Sequence, residues 1–163
     1  MHTPSSAALE QPARATWSLR LQRWAPVYAR LALAAAFLSA VASRLGLWSG
    51  EPAAQRFAGF IRYTAEVNAF MPASTIPFLA VAATVAELCL GIGLLVGVRL
   101  RQVAAASALL LALFGTAMAL SFGLKSPLDY SVFSASAAAL LLALGPGATS
   151  SPSATGSERG PRR

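Results

Sequence analysis

With 163 residues, 56% hydrophobic and only 12% charged, the chain is long enough for one compact domain but carries too little polar surface to cover it in water. Its net charge of +7 comes from Lys and Arg residues spread along the sequence, without the basic patch and interleaved aromatics of a nucleic-acid surface, so no nucleic-acid partner is expected. One cysteine, Cys89, and one histidine, His2, exclude an intramolecular disulfide, a cysteine metal cage and a bis-histidine haem site. No metal and no intrinsic cofactor are therefore expected, and a redox role would use a diffusible cofactor or a partner's.

Residues 1–26 read as a cytoplasmic N-terminal segment. Trp17, Leu21, Trp24 and Tyr28 recur there at helical spacing beside Arg20 and Arg23, the pattern of a basic amphipathic helix lying on the membrane surface. Four apolar segments follow, at about 27–47, 77–97, 103–122 and 128–144, each near the ~20 residues that cross a bilayer core. Leu31 to Ser39 followed by Ala40-Val41-Ala42 has features of a signal-peptide core and cleavage site. The long region before it, and the continuation through Arg44 to Trp48, favour a retained span. Between the first two spans, Phe57, Phe60, Ile61, Thr64 and Asn68 follow helical spacing after Pro52, which predicts an outer interfacial helix or lid.

The basic residues sort nine to the side of the N-terminus and four (Arg44, Arg56, Arg62 and Lys125) to the other. Positive charge favours the cytoplasmic side, so both termini are expected there. Residues 145–163, rich in Gly, Pro and Ser, read as a disordered cytoplasmic tail. The expected fold class is all-α, an integral membrane four-helix bundle.

Helices in lipid associate by close backbone approach, so stripes of small residues predict the packing faces. Ala32, Ala36 and Ala40 form one in the first span; Ala104, Ala108, Ala112, Gly115 and Ala119 form one in the third; Gly93 and Gly97 make a GxxxG pair in the second. Glu87 interrupts the second span. At about 100° per residue it shares a face with Ala80, Ala83, Thr84 and Gly91, while Val81, Leu88, Ile92 and Leu95 lie on another, so the acid is expected to point into the bundle. Two roles are open to it: a neutral acid bonded to Thr84 or a backbone carbonyl as helix glue, or a group that handles protons or contacts a ligand.

In "KSPLDY" the spacing predicts Ser126 as an N-cap, Pro127 as the first helical residue and Asp129 at the third position, a capping-box pattern. Arg44, on the same outer side, could pair with Asp129 across the bundle or snorkel to the headgroups. Tyr130 fits an interfacial belt. Cys89 falls well away from Glu87 around the helix and reads as a small packing residue.

The segments "RLALAAAFLSAVASRLGLW", "AELCLGIGLLVGVRLR" and "KSPLDYSVFSASAAALLLAL", in that order over about residues 29–144, resemble the DoxX-like family of small four-span membrane proteins. That resemblance implies a multi-pass protein of the bacterial inner-membrane type, an accessory subunit of a quinone-linked or sulfur/respiratory redox system. It carries Glu87, Gly91, Gly97 and Arg99 over from the family motif, with Arg44 where a basic residue closes the first span. The chain holds no flavin or iron–sulfur motif, so a non-catalytic subunit is expected, with a bound quinone as its candidate ligand. The lipid bilayer, a redox partner protein and a second copy of the chain are its candidate partners. Glu87, Arg44, Asp129 and Tyr130 are the candidate polar site, and Gly91, Gly93, Gly97 and Gly115 the candidate packing residues. A small proton-coupled transporter working through Glu87 and a purely structural membrane partner are the alternatives.

Overall fold

The computed structural model describes the backbone of residues 7–145 and the side chains of residues 21–145. Every regular element among them is helical: α1 (Ala7–Arg44), α2 (Ala53–Val67), a 3₁₀ turn (Ala73–Thr75), α3 (Ile76–Val96), α4 (Leu100–Phe122), α5 (Lys125–Asp129) and α6 (Val132–Leu144). Apart from Gly145, the expected tail lies outside the described residues, as does the side chain of Trp17.

Three stretches, Leu21–Arg44, Ala73–Val96 and Leu100–Phe122, are long and apolar enough to cross a membrane, and α6 is a shorter apolar helix. Phe78, Val81, Val85, Ile92, Leu109 and Leu120 stand exposed along α3 and α4, a surface that fits lipid rather than water. Val81, Leu88, Ile92 and Leu95, placed on the outer face of α3 from sequence, are exposed, and Ala80, Glu87 and Gly91 are buried on the opposite face.

Several local expectations are corrected. The amphipathic segment is no separate surface helix: α1 runs without a break from Ala7 to Arg44. The small stripe of that helix does not mark its interface, since Ala32 and Ala36 are exposed and Leu33, Ala34, Phe37 and Val41 are buried instead. A large side chain can be the knob when its partner supplies the hole, and here Gly91 of α3 does. A Cβ on Gly91 would lie 2.9 Å from Leu38 Cγ and 3.3 Å from Phe37 Cβ.

The GxxxG pair divides its labour. Gly93 lets α4 approach, with Val103 Cγ1 at 3.1 Å from its would-be Cβ, whereas Gly97 ends α3 in the left-handed conformation (φ 81°), its N–H donating to the Gly93 carbonyl at 2.9 Å. Without a Cβ, glycine adopts that conformation with little strain. Cys89, finally, is exposed on the outer surface and packs no interface.

The fourth predicted span is interrupted. α5 begins after Leu124 with no side-chain cap, so Ser126 is not an N-cap and the capping box does not form. Pro127 is fully buried at the third position of α5, where its missing N–H leaves no helical bond unmade. Asp129 instead pairs with Lys125 on the exposed side of the same short helix. Ser131, left-handed at φ 55°, separates α5 from α6.

Within the bundle α1 packs chiefly on α3 and α4 chiefly on α6. Leu33, Ala34, Phe37, Leu94, Ala104, Ala108, Ala139, Leu142 and Ala143 form one buried cluster toward the end that carries the α3–α4 turn. At the other end, nearer α2, the helices leave a space between them.

Candidate functional site

Glu87 sits midway along α3 and is 3% exposed. A lone carboxylate at such depth in a bilayer would cost about 2.5–3.5 kcal/mol or more. The fold meets that cost with an arginine. α1 and α3 run antiparallel, and Gly91 fixes their register on Phe37 and Leu38; about two turns farther along each helix, this brings Arg44 level with Thr84 and one turn above Glu87. Arg44 Nη2 donates to Glu87 Oε1 at 2.9 Å, and Nη1 stands 2.7 Å from Oε2 as a charge contact not aligned for a second hydrogen bond.

Two further groups hold the guanidinium. Nη1 donates to Thr84 Oγ1 at 3.2 Å, and that hydroxyl donates to the Ala80 carbonyl at 2.8 Å. The other face of Arg44 lies over the Phe60 ring, with Cζ 3.7 Å from its centroid, a stacking that suits a planar and weakly hydrated cation. Helix glue through Thr84 or a backbone carbonyl is thus replaced by an arginine bound to both Thr84 and Glu87.

The pair forms part of the wall of a cavity of about 480 Å³. α2 and its C-cap contribute Phe60, Tyr63, Thr64, Val67 and Asn68, α3 contributes Leu79, Ala82, Ala83 and Ala86, and α4 contributes Leu110, Leu113, Phe114, Ala117 and Met118. The size lies within the range of small-molecule sites, as does the makeup, an apolar wall with a few polar groups. Thr64 turns its hydroxyl to the Phe60 carbonyl at 2.8 Å and Asn68 donates to the Thr64 carbonyl at 2.9 Å, so Asn68 keeps a second N–H and its carbonyl for other partners. Burial first, and repulsion by Tyr130 and Glu66 second, push the Tyr63 phenol above its usual value, so it remains a neutral donor at physiological pH.

Of the four polar candidates, Arg44 and Glu87 meet. Asp129 and Tyr130 do not join them: Asp129 is taken by Lys125, which rules out the Arg44–Asp129 pairing, and Tyr130 is 73% exposed and outside the cavity wall. Sequence reasoning found the inward stripe of α2 but not the site roles of Phe60, Tyr63 and Asn68. Tyr63 is off that stripe, and an Arg–ring stack between distant helices leaves no local pattern. Among the described residues, no three of His, Cys, Asp or Glu come together to hold a metal ion. No family model matches this chain, and neither a curated protein nor a solved structure does.

Proposed function

We propose that the chain is a multi-pass protein of a bacterial-type inner membrane, crossing four times with both termini in the cytoplasm, and that its cavity binds a quinone. Its role is then that of a non-catalytic accessory subunit in a quinone-linked or sulfur/respiratory redox system, as the DoxX-like resemblance implies. The observation that carries the ligand assignment is the Arg44–Glu87 ion pair in the wall of an otherwise apolar cavity. A quinone is a flat apolar ring with two carbonyl acceptors; apolar walls suit the ring, and Tyr63, Asn68 and the unused N–H groups of Arg44 suit the carbonyls. Glu87 holds the Arg44 guanidinium in position for the head group. Electrons would pass to or from a redox partner, because no residue here carries them. The proton-coupled transporter fits less well, since a cycling carboxylate would have to break its ion pair with Arg44 at each turn.

Purification in mild detergent followed by mass spectrometry is expected to find quinone bound to the parent protein and depleted about fivefold or more in a Tyr63→Phe, Asn68→Leu double variant. A monodisperse parent protein free of quinone would count against the assignment. For topology, single cysteines replacing Ser74 and Val98 in a Cys89→Ala background sit at opposite ends of α3. An impermeant maleimide added to intact cells should label the first and spare the second; the reverse result would invert the orientation.

A further inference from the structure

The cavity has a fastened side and an open one. α2 is tied down at both ends: Arg56 Nε and Nη2 donate to the carbonyl and hydroxyl oxygens of Ser43, each at 3.4 Å, and Ser121 Oγ donates to the Val67 carbonyl at 2.6 Å. Between these ties, Thr64 and Val67 are buried and Phe60 lies against Arg44.

The opposite side is built differently. α3 and α4 approach closely beside their turn, at Gly93 and Val103, but toward α2 three of the five residues that α3 turns to the cavity are the short Ala82, Ala83 and Ala86, beside Leu79 and Glu87. The alanine side chains are too short to fill the space in front of Leu110 and Phe114, and the cavity occupies it. Leu113 lines the cavity and is also 58% exposed, which places it at a rim on the apolar outer surface, one turn from the equally outward Leu109 at 62%. The polar groups Arg44, Glu87 and Asn68 lie on the walls made by α1, α2 and α3, whereas the α4 wall is apolar throughout.

We propose that the cavity is reached sideways from the bilayer, through the gap between α3 and α4 at Leu113, and that its ligand is a membrane-dissolved amphiphile whose acceptor-bearing head rests near Arg44 and Asn68 and whose apolar tail leaves past Leu113 into lipid. This rests on the ligand-binding assignment above and adds to it the route and the need for a tail. The helix with a polar outer face, α2 with Arg62 and Glu66 exposed, is strapped, and the wall with an apolar outer face is the one with a gap. A ligand that partitions into the bilayer reaches that gap at high local concentration, and its tail loses nothing by staying in lipid.

The test uses the full chain in lipid nanodiscs and two probes with the same quinone head, one with an isoprenoid tail and one without. At equal total concentration the tailed probe should bind about tenfold or more tighter than the tailless one, and the difference should largely vanish when both are expressed against their concentration in the bilayer. Leu113→Trp, which narrows the rim without touching the polar wall, should weaken or slow binding of the tailed probe about fivefold or more. Leu109→Trp, equally exposed on the same helix but away from the cavity, should stay within about twofold of the parent and so controls for folding and bilayer effects. Equal binding of both probes at equal total concentration, with Leu113→Trp behaving like Leu109→Trp, would overturn the lateral route and leave the ligand assignment standing. Failure of both probes to bind a monodisperse parent would overturn the two together.

Discussion

Arg44→Ala is expected to cost about 3–5 kcal/mol of stability, because it strands Glu87 as a buried, unpaired carboxylate. Much of that loss belongs to the stranded acid rather than to the pair itself, so Glu87→Gln placed on top of Arg44→Ala should recover a large share of it. Glu87→Gln alone should be milder, since the amide oxygen still accepts from Arg44 although the charge attraction is gone. Arg44→Lys should fall between: a lysine keeps the charge but cannot bond Glu87, reach Thr84 and cover the Phe60 ring together. Thermal unfolding of the four variants in detergent measures all of this. Arg44→Ala unfolding with the parent would mean that the pair does not form.

The second large effect is expected at Gly115. A Cβ there would lie 2.7 Å from Phe133 Cε1 and 3.0 Å from Cζ, so α4 can hold α6 at its observed distance only while position 115 is bare. Gly115→Leu adds a whole side chain against that ring and should either unfold the α4–α6 contact or push the helices apart, at a cost beyond the roughly 1–3 kcal/mol usual for overpacking. Ile92→Leu changes the shape of an exposed side chain and should be close to neutral. The two variants compared by thermal stability separate the effects, and Phe133→Ala should rescue part of the Gly115→Leu defect by reopening the space. Equal stability of Gly115→Leu and Ile92→Leu would show that the ring does not pack there.

The helical class and the inward direction of Glu87 were legible because both rest on periodicity, and a 21-residue apolar helix with one acid has only a few faces on which to put it. The partner of that acid was not legible. Arg44 was noted as a basic residue closing the first span, but its alignment with Thr84 depends on where Phe37 and Leu38 settle against Gly91, a fact of packing between helices. The alanine stripe misled for a related reason. Small residues permit close approach without requiring it, and on α1 the glycine opposite made the larger Phe37 the better fit. The capping reading failed because α5 begins after Leu124, which puts Ser126 inside the helix, and because Lys125 one turn back takes the Asp129 carboxylate.

The interruption at Ser131 has a bearing on the membrane itself. α6 holds 13 residues, which at helical rise amounts to about 20 Å, well short of the ~30 Å hydrocarbon core. If α6 is the fourth crossing, the bilayer beside it must dip toward α5, whose Lys125 has a stem long enough to carry its charge back up to the headgroups. One corner of the bundle then prefers a thinner membrane than the three long helices do. The mismatch should make the protein more stable in bilayers of shorter-chain lipids, and it marks the α4–α6 corner as the place where neighbouring lipids, or a neighbouring subunit, would gather to relieve the strain.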